Sequence, residues 1–136
     1  MKIAIVVSEF NSEVTSKMLK TALSRAKALG IKVSHTAHVP GAFDMPIVVD
    51  ALLARNDVDA VVTLGAIIKG QTKHDELIAN VTAGTLVKLS LKYKKPVSLG
   101  ITGPGMTDAQ AIKRIVPVSE RAVEAAQKLY LELKKL

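Results

Sequence analysis

The sequence predicts an α/β fold: a single-domain, three-layer α/β/α sandwich around a central four-stranded parallel sheet, spanning residues 1–136. One observation behind this prediction is that short, almost continuously apolar segments alternate with longer segments of helical periodicity. Strands that are apolar on both sides are typical of parallel sheets covered by helices on both faces. The other is that 136 residues, 49% of them hydrophobic, provide one buried core, and no repeat or low-complexity linker divides them.

The first half of the chain is predicted to contain two strands and two helices. Lys2–Ser8 is a buried strand, and Glu13–Leu29 has apolar residues at helical spacing. Ile31–Val39 is the second strand. The helix Asp44–Arg55 follows, with Pro46 in its first turn, where a proline removes no helical hydrogen bond.

The second half is predicted to contain two more strands and three helices. Its first three elements are the strand Ala60–Ile68, the helix His74–Tyr93 and the strand Pro96–Thr102. Gly103–Met106 is predicted to be a loop, and Thr107–Ile115 a short helix with Gln110 at capping-box spacing from its first residue. Pro117 breaks that helix, and Val118–Leu136 forms a final basic helix.

The composition narrows the class of protein. The formal net charge is +7, but the lysines are scattered over helical faces and only two tyrosines and two phenylalanines are present, which disfavours binding of nucleic acid. The absence of cysteine excludes disulfides and thiolate metal sites. The chain opens on a strand pattern rather than a signal peptide and has no apolar run long enough for a bilayer, so we expect a cytoplasmic protein without a membrane partner.

The segments that follow the four predicted strands hold most of the glycine and polar residues between elements. They are Ser8–Asn11, Val39–Asp44, Gly65–His74 and Thr102–Met106. The carboxyl ends of parallel strands meet at one edge of a sheet, and ligands of open α/β sheets bind there. We therefore expect the functional site where these four segments converge.

The segment Gly65–Leu77 is the most informative. A strand ends in a glycine-flanked polar turn and a long helix begins at once, so free backbone N–H groups at the helix N-terminus offer a seat for an anion. The spacing matches neither a P-loop nor a dinucleotide-binding fingerprint, and an ordinary helix start capped by Thr72 would have the same pattern. His74 can exchange a proton near neutral pH, or it can be structural, as we interpret His35 and His38. An anion seat beside a proton carrier suggests chemistry on a small phosphorylated molecule.

Other polar and aromatic side chains near these segments are further candidates. Phe10, in a polar turn, could stack on a planar heterocycle or pack on its own helix. Asp44 could hold a polyhydroxylated chain or cap the helix that follows it. Arg114 could bind phosphate oxygens or place a favourable charge at a helix C-terminus. Arg121 and Glu124, spaced i, i+3, are expected to form a surface ion pair.

Several segments, taken in order, resemble the 6,7-dimethyl-8-ribityllumazine synthase family: Phe10-Asn11, Val39–Pro46, Leu64–His74, Pro96–Gly100 and Gln110-Ala111 with Arg114. The match spans essentially the whole chain, and the G-x-T-x-H segment together with P-G-A-F-[DE]-x-P is highly specific. The loop Gly103–Met106 and the compact ends look like the archaeal form of the family. The resemblance implies a transferase of riboflavin synthesis that condenses 5-amino-6-(D-ribitylamino)uracil with 3,4-dihydroxy-2-butanone 4-phosphate, releases phosphate and water, and uses no metal and no organic cofactor.

The resemblance also implies roles for individual residues. His74 would be the proton shuttle, Arg114 would clamp the phosphate, and the amides of Gln71 and Thr72 would bind it. The implied substrate-binding residues are Phe10, Asn11, Ala42, Phe43, Asp44, Ile67, Ile68 and Leu99. Leu99 stands where many members have an aromatic residue that closes the pocket from the adjacent subunit, which puts some stacking in doubt.

The resemblance further implies pentamers, in which Leu99 and Arg114 would come from a different subunit than Phe10 and His74. Twelve pentamers can form a sixty-subunit shell in this family, and the sequence does not choose between the two assemblies. Arg121 and Glu124 match a charged pair near the family's site. An archaeal-type riboflavin synthase and a non-catalytic flavin-binding or nucleotide-binding module of flavodoxin-like shape are the alternatives.

Overall fold

The computed structural model describes residues 1–70 and 73–136. The strands are β1 (Lys2–Ser8), β2 (Lys32–Val39), β3 (Ala60–Ile68) and β4 (Val97–Met106). The α-helices are α1 (Ser12–Ala28), α2 (Met45–Leu53), α3 (His74–Tyr93) and α4 (Asp108–Lys134), and a 3-10 turn, Ala42–Asp44, precedes α2. The strands pair in parallel in the order β2-β1-β3-β4, which confirms the predicted four-stranded parallel sheet.

The sheet separates two apolar clusters. One lies between the sheet and the pair α1 and α4, and it includes Ile5, Met18 and Val123. The other lies between the sheet and the pair α2 and α3, and it includes Val6 and Met45. Neighbouring residues of β1 belong to different clusters because successive side chains of a strand point to opposite faces. This arrangement confirms the three-layer sandwich. Among the described residues, each helix is too short or too polar to span a bilayer.

Strand β4 is longer than predicted, because Gly103–Met106 continues the strand instead of forming a loop. After a register irregularity in β3, Met106 pairs with Ile68, and the Lys69 N–H donates to the Met106 carbonyl oxygen at 2.8 Å. Gly103 and Gly105 have φ of 110° and 78°, a region that favours glycine. These glycines let the strand bend and then resume pairing, so the prediction of a loop was wrong.

Helix α4 is also continuous where a break was predicted. Pro117 lies inside it on an exposed position, and the predicted helices Thr107–Ile115 and Val118–Leu136 merge into one. A proline inside a helix costs about 3 kcal/mol, whereas burial of each large aliphatic side chain contributes about 1.5–3 kcal/mol. The buried stripe of α4 extends to both sides of the proline, from Ala111 to Ala126, and this packing outweighs the missing hydrogen bond.

The N-terminus of α4 was predicted correctly. The Gln110 N–H donates to Thr107 Oγ1 at 3.2 Å, and the Thr107 N–H donates to Gln110 Oε1 at 3.0 Å. This reciprocal capping box fixes the first residue of the helix directly after β4.

Candidate active site

A cavity of about 570 Å³ opens at the carboxyl edge of the sheet, where the sequence predicted the site. Its walls come from the turn after β1, from residues 40–44 after β2, from the end of β3 and from the first turns of α3. The predicted site residues that line it are Phe10, Ala42, Phe43, Asp44, Ile67, Ile68 and His74. Gln71 and Thr72, predicted to bind phosphate, lie outside the described residues.

Both phenylalanines of the chain line the cavity and are largely exposed, Phe10 at 72% and Phe43 at 61%. Phe10 is held by its backbone, since the Phe10 N–H donates to the Pro40 carbonyl oxygen at 2.9 Å. The neighbouring Glu9 N–H donates to the Val39 carbonyl oxygen at 2.8 Å. The turns after β1 and β2 are therefore joined. An aromatic ring this open is available for a planar ligand.

Asp44 stabilises the turn that carries it. The Gly41 N–H donates to Asp44 Oδ2 at 3.0 Å, which closes the short 3-10 turn before α2. The side chain makes no capping bond to α2, so the alternative of a plain helix cap is not what the structure has. The bond uses one of the two carboxylate oxygens, and the exposed carboxylate faces the cavity.

Asn11 adjoins the cavity without lining it. Its backbone is left-handed, with φ of 62°, at the N-cap of α1. Its side-chain Nδ2 donates to the Ala66 carbonyl oxygen at 2.8 Å. This bond ties the Phe10 turn to the end of β3, so the side-chain amide group holds two walls of the site together.

His74 is the first residue of α3, is exposed and lines the cavity. The helix begins shortly after β3 ends, so the positive end of its dipole lies at the same edge of the sheet. Sequence reasoning missed Asp75, which lines the cavity beside His74 and accepts a hydrogen bond from the Gly105 N–H at 3.1 Å. An acidic residue in a first helical turn is so common that it carried no signal.

Besides Asn11, four predicted site residues among those described do not line this cavity. Leu99 is 56% exposed on the edge strand β4, and Arg114 and Arg121 are exposed on α4. Glu124 pairs with Arg25 of α1 instead of Arg121, with 3.0 Å between Oε1 and Nε. The surface ion pair expected between Arg121 and Glu124 is not among the salt bridges of the described residues.

Side chains suited to a metal ion do not cluster in the described residues, where no group of three or more His, Cys, Asp or Glu side chains is found. The cavity instead combines two open aromatic rings, a carboxylate on a fixed turn and an imidazole at a helix N-terminus. This set suits a planar heterocycle with a polar chain, together with an anion and proton transfer.

Comparison with known proteins agrees with this chemistry. A family model described as 6,7-dimethyl-8-ribityllumazine synthase matches residues 1–135. Among similar proteins, the 6,7-dimethyl-8-ribityllumazine synthase of Sulfolobus acidocaldarius is 54% identical over 136 residues, covering 100% of this chain and 86% of the relative. That of Saccharolobus solfataricus is 52% identical, with 100% and 88% covered. That of Staphylothermus marinus is 51% identical, with 99% and 90% covered. The chain therefore belongs to the 6,7-dimethyl-8-ribityllumazine synthase family.

Proposed function

We propose that this protein condenses 5-amino-6-(D-ribitylamino)uracil with 3,4-dihydroxy-2-butanone 4-phosphate to give 6,7-dimethyl-8-ribityllumazine, releasing phosphate and water. The observation that carries the proposal is a full-length family match in a chain whose cavity gathers Phe10, Asp44 and His74. Residues 1–136 act in this proposal as one catalytic domain, and the reaction is cytoplasmic.

The pyrimidine ring stacks on Phe10 in this proposal, and the ribityl chain lies along Ala42, Phe43 and Asp44. The open face of Phe10 supports the first contact, and the fixed carboxylate of Asp44 supports the second, because it can accept hydrogen bonds from ribityl hydroxyls. Ile67 and Ile68, with Asn11 behind them, form the wall at the end of β3. Two substrates held side by side gain much of their rate from proximity alone.

His74 carries the protons. Condensation of an amine with a ketone, loss of phosphate and ring closure each require a proton to be added to a leaving oxygen or removed from nitrogen or carbon. An imidazole can do both near neutral pH, which is worth about 10²–10⁴-fold in rate. His74 is the first residue of α3, and in this proposal the amides of Gln71 and Thr72, which precede it in the sequence, hold the phosphate.

The phosphate needs a cation close by to balance its charge. The described lining residues of the cavity include two carboxylates, Asp44 and Asp75, and neither lysine nor arginine. We therefore propose that Arg114 of a neighbouring subunit clamps the phosphate. Leu99 closes the pocket from the same side, and Arg121 and Glu124 lie close by. Leu99 on the edge strand β4 and Ile112 and Val116 on α4 are exposed apolar side chains, which supports a contact between copies of the chain.

The assembly in this proposal is a pentamer with five shared sites, alone or as part of a shell of twelve pentamers. Light scattering of the purified protein distinguishes the two. A complementation experiment tests the shared site: His74→Ala and Arg114→Ala chains are mixed, unfolded and reassembled. In a ring with random mixing, about a quarter of the sites recover both residues, so activity reappears. If correctly assembled mixtures recover no activity, His74 and Arg114 of each site come from the same chain.

The reaction itself is tested by adding both precursors to the purified protein and recording lumazine fluorescence. Product that depends on both precursors and on enzyme concentration is the expected result. Riboflavin absorbance arising from lumazine alone would identify a riboflavin synthase instead. Binding of riboflavin without turnover of any precursor would identify a flavin-binding module.

A further inference from the structure

We infer that Asp75 is a positioning residue of the active site: its carboxylate ties the start of α3 to the end of β4 and so positions the first turn of α3, which carries His74. The observation is the hydrogen bond from the Gly105 N–H to Asp75 Oδ2, with 3.1 Å between nitrogen and oxygen. The inference rests on the proposed function, because that function gives the turn its role in binding phosphate and moving protons.

A second bond ties the chain to the end of β4 directly after β3. The Lys69 N–H, directly after β3, donates to the Met106 carbonyl oxygen at 2.8 Å. Residues 105 and 106 therefore hold the chain on both sides of the segment 70–74, once at the strand end and once at the helix start. The two ends of that segment cannot move apart without breaking one of these bonds.

The end of β4 is itself a firm anchor. Met106 is buried, and Thr102 Oγ1 contacts Met106 Sδ at 3.3 Å. Gly103 lies so close to β3 that a Cβ at this position would overlap the Ile67 carbonyl oxygen. The bend between Thr102 and Met106 is thus packed on β3, and Asp75 connects α3 to a fixed part of the sheet.

The charge of Asp75 favours this role over direct contact with substrate. The side chain lines the cavity and is half-buried, and a carboxylate there repels a dianionic phosphate. The Gly105 N–H and the N-terminal end of the α3 dipole both stabilise it where it is. The Asp75 carboxylate acts here by accepting one hydrogen bond. The side-chain amide oxygen of an asparagine at this position should therefore be able to accept the same bond.

The kinetic test compares Asp75→Ala, Asp75→Asn and the control Asp108→Ala. Asp108 is likewise an acidic residue in the first turn of a helix, but it does not line the cavity. Loss of the bond in Asp75→Ala should raise KM for the phosphorylated ketone about tenfold and lower kcat. KM for the pyrimidine should stay within about twofold. Asp108→Ala should resemble the wild type, and Asp75→Asn should have a KM for the phosphorylated ketone no higher than that of the wild type, because it keeps the acceptor oxygen and removes the repelling charge.

A measurement without turnover separates this inference from the proposed function. Hydrogen–deuterium exchange of the ligand-free protein should become faster in Asp75→Ala over residues 69–76 and at Gly105, with an unchanged unfolding temperature. Asp75→Asn should exchange as the wild type does. The inference would be overturned if exchange in Asp75→Ala were unaltered or if both KM values rose equally. It would also be overturned if Asp75→Asn were as impaired as Asp75→Ala. A wild type that makes no lumazine would instead refute the proposed function, while the exchange data would still test the connection.

Discussion

Replacing Phe10 by alanine is expected to weaken binding of the ribitylaminouracil more than it weakens the fold. Phe10 lines the cavity from the turn between β1 and α1 and is 72% exposed. Slightly more than a quarter of a phenylalanine area of roughly 200 Å² then touches the protein, so the lost burial is worth about 1.5 kcal/mol at most. This upper limit corresponds to a fall of a few degrees in the unfolding temperature.

The effect on substrate is larger because the whole open face of the ring is available to the pyrimidine. Stacking of a heterocyclic base on an aromatic side chain contributes about 1–3 kcal/mol. Removing it should raise KM for the pyrimidine substrate by about 5- to 150-fold. KM for the phosphorylated ketone should change little, because the proposed phosphate contacts lie at the start of α3 and not at Phe10.

The assay is lumazine fluorescence with the pyrimidine varied at saturating ketone. Two matched variants separate stacking from simple apolar contact: Phe10→Tyr keeps the aromatic face, and Phe10→Leu keeps apolar area without it. KM should be lowest for the wild type and Phe10→Tyr, higher for Phe10→Leu and highest for Phe10→Ala. An unchanged KM in a folded Phe10→Ala protein would refute the assignment of Phe10 as the stacking platform.

Three further predictions concern His74, Arg114 and Ser119. His74→Ala should lower kcat by about 10²–10⁴-fold while the fold stays intact, as circular dichroism would show, and an unaltered rate would remove His74 from the mechanism. Arg114→Ala should raise KM for the phosphorylated ketone and leave KM for the pyrimidine unchanged in steady-state assays; a change confined to the pyrimidine would place the clamp elsewhere. Ser119 is fully buried on α4, and its hydroxyl has no partner among the described residues. Ser119→Ala should therefore stabilise the protein by about 1 kcal/mol, and calorimetry showing a lower unfolding temperature would reveal a missed hydrogen bond.

Elements whose boundaries depend on local sequence could be predicted. The bounds of β3 and α3 agree with the sequence-based ranges, because β3 is apolar except for Thr63 and a glycine-flanked segment of the sequence separates it from the helix. The predictions for the segment Gly103–Met106 and for the region of Pro117 were wrong for the same reason. Both look like breaks locally, and both are overridden by tertiary packing, in one case against β3 and in the other against the sheet and α1.

The candidate site was predictable to the extent that topology determines it. Phe10, Asp44 and His74 follow three different parallel strands, and the sheet alone brings them to one edge. Hydrogen bonds and ion pairs between residues far apart in the chain have no signature in the local sequence. The bond between Asp75 and Gly105 and the ion pair between Arg25 and Glu124 join residues far apart in the chain, and neither follows from helical or strand periodicity.

The charge distribution supports the proposal that a neighbouring subunit completes the site. The net charge of +7 is carried largely by lysines scattered over the helices. Salt screens exposed charges over about 8 Å at physiological ionic strength, so these lysines can attract an anionic substrate but cannot neutralise it once it is bound. The described cavity wall contributes the carboxylates of Asp44 and Asp75 and no lysine or arginine. Direct contact with a cation must therefore come from outside this wall. Under the proposed assembly the cation is a neighbour's Arg114, which makes phosphate binding a property of the oligomer.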